Sequence, residues 1–388
     1  MLKVLAIANY RSLRSVVLPL EALNVISGEN GTGKSSLYRA LRLLAQTAEG
    51  SVVASLAREG GLASTLWAGP ENISRAMKRG EHPIQGGPRR EPVSLRLAFA
   101  SDDLSYSIDL GLPQTSASPA FMHDPEIKRE CIWSGPKLRP SSMLVDRRGA
   151  VVRVRDRNDG WNIATSSLAS FDSMLTEVAD AKNAPEIMAV REQIRSWRFY
   201  DHFRTDPDSP VRQPQIGTYT PVLSHDGRDL AAALQTIRAV GDSAGLARAI
   251  VDAFAGSALH IDFGDGRFGL QLRQPGMLRP LTAAELSDGT LRYLLLVAAL
   301  FTPRPPQLMV LDEPEASLHP DLLPALGRLI VTASTRSQLW VVSHSNRLLA
   351  ALHEAPKCNA VRLIKELGET KIEGQGLLDQ PSWHWPER

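Results

Sequence analysis

Cysteine is almost absent from this chain: Cys131 and Cys358 are the only two in 388 residues. Two thiols so far apart in sequence build neither a disulfide framework nor a Cys-ligated zinc site, and they suit a reducing compartment. Long apolar runs are missing as well, the longest being Tyr293 to Phe301, too short to cross a bilayer. Lys3, Asn9, Arg11 and Arg14 interrupt the stretch Met1 to Val17, which therefore lacks the apolar centre of a secretory leader. A cytoplasmic protein without membrane insertion is the expectation. No charge of one sign predominates, with 44 Lys and Arg against 42 Asp and Glu, so any nucleic-acid surface has to be local. Heptad runs and internal repeats are lacking, which argues against a long coiled coil. Apolar residues, at 43%, are plentiful enough for a sizeable core and exclude global disorder.

The apolar patterning is α/β at the two ends of the chain. Leu2–Ala8 and Leu23–Ser27 read as strands, and Ser35–Gln46 as a helix with Leu37, Ala40, Leu41 and Leu44 on one face. Towards the other end, Leu291–Phe301 and Leu322–Ser334 read as helices. Gln307–Leu311 and Gln338–Ser343 read as buried strands, and a hairpin turns at Gly368. Between them, 93–99 and 104–110 read as meander strands, 172–198 and 229–255 as helices, and His260–Leu272 as a hairpin around Gly264, Asp265 and Gly266. The expected organisation is one nucleotide-type core split over 1–48 and 280–375, an inserted lobe of antiparallel β and helix over 49–279, and a tail over 376–388.

Four short segments carry chemistry. Gly28-Glu-Asn30-Gly31-Thr32-Gly33-Lys34-Ser35 fits G-x-x-x-x-G-K-[ST] between a strand and a helix. Gly31 and Gly33 let the backbone turn tightly, so that N–H groups from Asn30 to Ser36 can approach phosphate oxygens at a positive helix end. Lys34 would bridge the β- and γ-phosphates of ATP, and the Ser35 hydroxyl would bind Mg2+. Leu308-Met-Val-Leu-Asp312-Glu313-Pro-Glu315 is a buried strand ending in carboxylates. Asp312 fits the Mg2+ shell and Glu313 the general base for the attacking water. Val341-Val342-Ser343-His344 is a second buried strand whose terminal His344 is placed to sense a γ-phosphate. Leu286-Ser287-Asp288-Gly289-Thr290 precedes an apolar helix, and Ser287 with Gly289 forms an anion-binding start. A simple N-cap would look the same. A second phosphate loop makes sense if it covers a nucleotide held by another copy.

Together these segments resemble the ABC-type ATPase heads of the SMC/RecF-like group. Leu286 to Thr290 resembles the ABC signature, with Asp288 where transporters usually carry Gly. Ala316-Ser-Leu-His-Pro320 resembles the D-loop, and Asn9-Tyr-Arg-Ser-Leu13 the motif ahead of the P-loop strand. Trp197-Arg-Phe-Tyr200 and Pro381-Ser-Trp-His-Trp-Pro386 resemble segments of a bacterial subgroup. The resemblance is specific over 1–48 and 280–350. It implies the fold of a P-loop NTPase of ABC-ATPase type, with ATP bound between the P-loop of one copy and the signature of the other in a head-to-head homodimer. A Q-loop glutamine is not placed; Gln85 and Gln114 lack context.

DNA is a partner to weigh. Arg75–Arg96 and Lys137–Arg157 are rich in basic residues, although a solvated face is the simpler account of them and no aromatic residues interleave. Trp197, Phe199 and Tyr200 read as core rather than as a stacking platform. Asp201, His202 and Asp206 read as a polar loop rather than a metal cluster. The functional expectation is ATP hydrolysis with ATP-driven dimerisation, acting on DNA in repair or defence. The alternatives are an ATP-gated switch that binds a second protein encoded alongside, as in a toxin or defence pair, and a transporter ATPase subunit. In transporters the signature follows the P-loop far more closely than Ser287 follows Gly33 here.

Overall fold

The computed structural model describes residues 1–71, 73–83, 94–113, 119–156, 158–376 and 379–387. The chain divides into two compact units, Met1–Glu21 with Ser27–Ser196 and Val361–Arg388, and Ala22–Ile26 with Trp197–Ala360. These limits differ from the boundaries at 48, 279 and 375 read from the sequence, and the N-terminal strand shows why.

In the first unit β1 (Leu2–Tyr10) and β2 (Leu13–Pro19) form an antiparallel pair, and β3 (Leu23–Gly28) follows, starting in the second unit and ending in the first. The strand at the N-terminus does not join the parallel sheet. It pairs with β4 (Leu95–Ser101), and the sheet continues through β5 (Leu104–Gly111), β6 (Glu126–Ser134), β7 (Met143–Arg148), β8 (Val151–Arg155) and β9 (Trp161–Thr165) in the order β2-β1-β4-β5-β6-β7-β8-β9. Leu5 opposes Phe99 and Ile7 opposes Leu97, all fully buried. The alternate residues Val4, Ala6, Ala98 and Ala100, with Val17, make a second buried face on which Trp383 and Trp385 pack. The helix Lys34–Gln46 buries Leu37, Leu41 and Leu44 as its spacing predicts.

A buried polar cluster ties the far half of this sheet to the segment after it. Glu130 and Arg147 form a fully buried ion pair at 2.6 Å. Glu130 also accepts from the Tyr106 and Ser173 hydroxyls and from the backbone N–H of Met174, and Arg147 donates to the carbonyls of Asp172 and Ala169. A buried charge pair is tolerable only when its remaining sites are satisfied in this way. Burial pushes the nearby Cys131 thiol up to about 12.

The second unit is built on parallel strands. β10 (Arg198–Tyr200) pairs with β15 (Leu308–Asp312), β15 with β16 (Gln338–Val342), and β16 with the start of β3. Between β10 and β15 the chain forms a small antiparallel sheet. In it β11 (Gln215–Ile216), β12 (Ala258–Gly264) and β14 (Leu281–Thr282) all pair with β13 (Arg267–Arg273), which confirms the hairpin at Gly264 to Gly266. The helix Asp288–Leu300 is buried along the whole of Leu291 to Leu300, which explains why it is apolar all round. The last hairpin is β17 (Cys358–Glu366) with β18 (Glu369–Ile372).

Two expected helices are broken. The 172–198 stretch holds the turn Met174–Glu177 and the helix Pro185–Arg195, because Asp180 turns the chain by accepting from Asn183 and Pro185 starts a new helix. The 229–255 stretch divides into Leu230–Val240 and Ser243–Ala253 at Gly241, with Asp242 capping the second helix through Gly245. Trp197, Phe199 and Tyr200 are buried at the β10 edge, where they are core. Among the described residues no helix is long and apolar enough to cross a membrane.

Candidate functional site

The loop after β3 is shaped by positions that only glycine fills well. At Gly28 (φ +146°) a Cβ would lie 2.5 Å from the Leu363 carbonyl oxygen, and at Gly33 (φ +109°) it would lie 2.2 Å from Thr370 Oγ1. Thr370 in turn donates to the Thr32 carbonyl at 2.7 Å, so β18 supports the loop from behind. At Gly31 (φ +81°) a Cβ would meet nothing within 4 Å, so that part of the loop is open. Lys34 is only 8% exposed, and its ammonium donates to the carbonyls of Gly28 at 2.6 Å and Glu29 at 3.0 Å. Among the described residues no carboxylate pairs with it. A nearly buried cation held by neutral carbonyls at a helix start suits an anion. Asn30 and Ser35 are exposed, Ser36 is half-buried, and Thr32 is buried with its hydroxyl on the Glu29 carbonyl.

In the second unit the register fixes the carboxyl ends of three parallel strands. Asp312 stands opposite Val342, and Val342 opposite Ile26 of β3, two residues before Gly28. In parallel sheets that edge is where ligands bind. Glu313, next to Asp312, has φ +47°, an uncommon conformation for a non-glycine residue and a feature that concentrates at functional sites. Its N–H donates to the Val342 carbonyl at 2.9 Å. His344 lies with Nδ1 3.5 Å from Glu313 Oε1 and 3.6 Å from Glu315 Oε1. Glu315 is buried, and its Oε1 accepts from the Ser343 hydroxyl at 2.6 Å and from the N–H groups of His344 at 3.0 Å and Ser345 at 3.2 Å. Arg292 donates from Nη2 to the Glu313 carbonyl at 3.4 Å, and burial holds its guanidinium pKa below the usual arginine range.

The Leu286–Thr290 segment is the start of the buried helix. Ser287 is exposed and caps it, its hydroxyl accepting from the Thr290 N–H at 3.2 Å. Arg212 braces the segment from below. It donates to the carbonyls of Ala283 (3.2 Å), Ala284 (3.1 Å) and Leu286 (2.8 Å), and to Asp288 Oδ1 at 2.5 Å. Gly289 lets the Ser317 backbone close in, since a Cβ there would lie 2.9 Å from the Ser317 carbonyl oxygen. Ser317 itself has φ +63°.

Within the second unit, then, Asp312, Glu313 and His344 gather at one sheet edge, and Ser287 and Gly289 open the neighbouring helix. Asn30 to Ser36 form the loop on the other unit. Sequence reasoning missed Arg212, Arg292 and Thr370, and gave Glu315 no role. The arginines carry no local pattern, and Glu315 was visible only as one more acid in the motif.

The remaining candidates fare less well. Gln85 and Gln114 lie outside the described residues, as do Arg157 and residues 84–93 of the first basic stretch. In the second stretch Arg147 is buried, Arg148 and Arg153 pair with Asp146, and Arg155 pairs with Asp159. Much of that positive charge is therefore spent within the chain. Asp206 pairs with Arg204, and no group able to hold a metal forms from three or more His, Cys, Asp or Glu among the described residues.

A family model described as "AAA domain, putative AbiEii toxin, Type IV TA system" matches residues 23–350. The chain is similar in structure to an Smc head bound to the C-terminal winged-helix domain of ScpA. The TM-score is 0.51 at 13% identity, over 97% of this chain and 98% of that one. It is also similar to the Smc head domain with a coiled coil and joint from Pyrococcus yayanosii, with a TM-score of 0.50 at 9% identity over 98% of each chain. At such identities these likenesses carry the fold, and the mixed α/β architecture with an antiparallel sheet is the one expected from the sequence. No curated protein matches the chain. The chain belongs to this AAA family, and its fold is that of the Smc heads.

Proposed function

We propose that the protein hydrolyses ATP at sites completed by a second copy, and that ATP binding drives the two copies together head to head. The observation that carries this reading is the register Asp312–Val342–Ile26. It sets the ends of three parallel strands side by side, each leading directly into one of the candidate segments. The P-loop residues Asn30 to Ser36 bind the phosphates, and Lys34, having no carboxylate partner among the described residues, supplies the neutralising charge. The donor set suits magnesium: the Ser35 hydroxyl and the Asp312 carboxylate would hold it, and when bound it offsets charge on the phosphate oxygens. Glu313 orients the attacking water and takes its proton, and His344 donates a hydrogen bond towards the γ-phosphate. Ser287 and Gly289 lie exposed or half-exposed at a helix start, in position to close over a nucleotide held by another copy.

Two observations favour a protein as the partner whose binding is gated. The family description names a toxin–antitoxin system, and the arginines of Lys137–Arg157 are largely paired internally. Action on DNA in repair or defence is the competing outcome.

The test is the mass of Glu313→Gln protein in solution with and without ATP and Mg2+, repeated with DNA at low salt. A dimer that forms only with ATP, is lost in Lys34→Ala and Ser287→Arg, and ignores DNA supports the proposal. Turnover unchanged in Glu313→Gln would remove the general base. A dimer indifferent to Ser287→Arg would remove the shared site, and salt-dependent DNA binding that responds to ATP would select the competing reading.

A further inference from the structure

The helix that begins at Ser287 carries Arg292 on its next turn, buried, with Nη2 on the Glu313 carbonyl. Arg292 Nε is buried and has no hydrogen-bond partner among the described residues. Glu315 shows the complementary defect. Its Oε1 is saturated by the segment after β16, while its Oε2 is buried and without a partner among the described residues. Glu315 is also the foremost charge favouring the protonated Arg292 guanidinium against its burial. One donor and one acceptor of opposite charge are thus both buried and unmatched among the described residues, and the carboxylate favours the charge on the guanidinium. A half-satisfied buried pair of this kind is costly and favours any small movement that completes it. The helix start already packs on the same turn, since Gly289 lets the backbone of Ser317, two residues after Glu315, come close.

We infer that Arg292 and Glu315 link the signature helix to the hydrolytic turn of its own chain. When Ser287 engages the nucleotide of a partner copy, the helix shifts and Arg292 closes onto Glu315. Glu315 holds Ser343, His344 and Ser345, and Arg292 holds the Glu313 carbonyl. Completing the pair therefore sets Glu313 and His344 against the nucleotide bound by the same chain. Engagement at one site in this way prepares the other. Both residues are positioning residues, acting on ATP through Glu313 and His344. The inference rests on the shared-site reading proposed above.

The experiment is a double-mutant cycle on steady-state ATP turnover with wild type, Arg292→Gln, Glu315→Gln and the double variant, with Arg292→Lys as the conservative control. Each single change should lower kcat about tenfold while KM moves less than about twofold, and the double variant should be no worse than the poorer single. Arg292→Lys keeps the charge and should recover part of the loss. A merely structural role would instead lower nucleotide binding and thermal stability together, and Lys would not rescue. Losses that multiply to about a hundredfold in the double variant would overturn the link, as would unchanged kcat in Glu315→Gln and Arg292→Gln. If wild type shows no turnover, or Lys34→Ala leaves it intact, the ATPase reading has failed. If both controls behave and the cycle is additive, only the link has failed.

Discussion

Asp288 Oδ1 and Arg212 Nη2 meet at 2.5 Å, and the same guanidinium gathers the carbonyls of Ala283, Ala284 and Leu286. Asp288 therefore belongs to a brace under the start of the buried helix Asp288–Leu300. The two partners contribute unequally. Arg212 is buried along its length, whereas the Asp288 side chain is 57% exposed. Arg212→Ala strands several carbonyls and should cost about 3 kcal/mol of stability. Asp288→Gly removes one solvent-screened contact and should cost no more than about 1 kcal/mol. Urea midpoints measure both, and equal losses would mean that the ion pair, rather than the carbonyl brace, does the holding.

The P-loop makes a sharper prediction. Gly33 combines a left-handed φ of +109° with a Cβ position 2.2 Å from Thr370 Oγ1. Gly33→Ala should destabilise the protein by about 2 kcal/mol and weaken nucleotide binding at least about tenfold. Adding Thr370→Ala removes the clashing hydroxyl but not the backbone strain, so the double variant should recover part of the stability and little of the binding. Titration with a fluorescent ATP analogue alongside denaturant unfolding separates the two effects. Full binding by Gly33→Ala would show that the loop can move away from β18.

The elements that the sequence revealed are those whose chemistry is contiguous. A loop that must wrap a phosphate needs Gly31, Gly33, Lys34 and Ser35 in one run, and a buried parallel strand must be apolar up to Asp312. Strands β6 and β7 stayed hidden because they bury charge. Glu130, Asp146 and Arg147 fall on interior positions and spoil the apolar alternation that marks a strand. Arg147 looks like surface charge in sequence, and only Glu130, 17 residues away, makes it an interior residue. Arg212 and Asp288 are separated by 76 residues, so no local pattern could join them. The N-terminal strand was legible as a strand, though the sheet it joins was not. Its apolar residues serve two faces of an antiparallel sheet, one lined by Leu5 and Ile7 and the other by Val4 and Ala6, and this imitates the continuous run of a parallel strand.

The second of those faces supplies the last prediction. Val4, Ala6, Val17, Ala98 and Ala100 are small and leave room for large rings on this face. Trp383 and Trp385 fill that room. Trp383 lies 6.0 Å from Trp133 and 5.4 Å from Trp385, ring centre to ring centre, the latter edge-on. Aromatic rings on small residues are a strong apolar contact, yet both indoles keep some exposure, so their removal should cost less than that of fully buried ones. Trp383→Ala with Trp385→Ala should therefore lower stability by about 2–4 kcal/mol and uncover an apolar face that binds a hydrophobic dye in the native state. A variant as stable as wild type, with no gain in dye binding, would mean that the tail does not cover this face in solution.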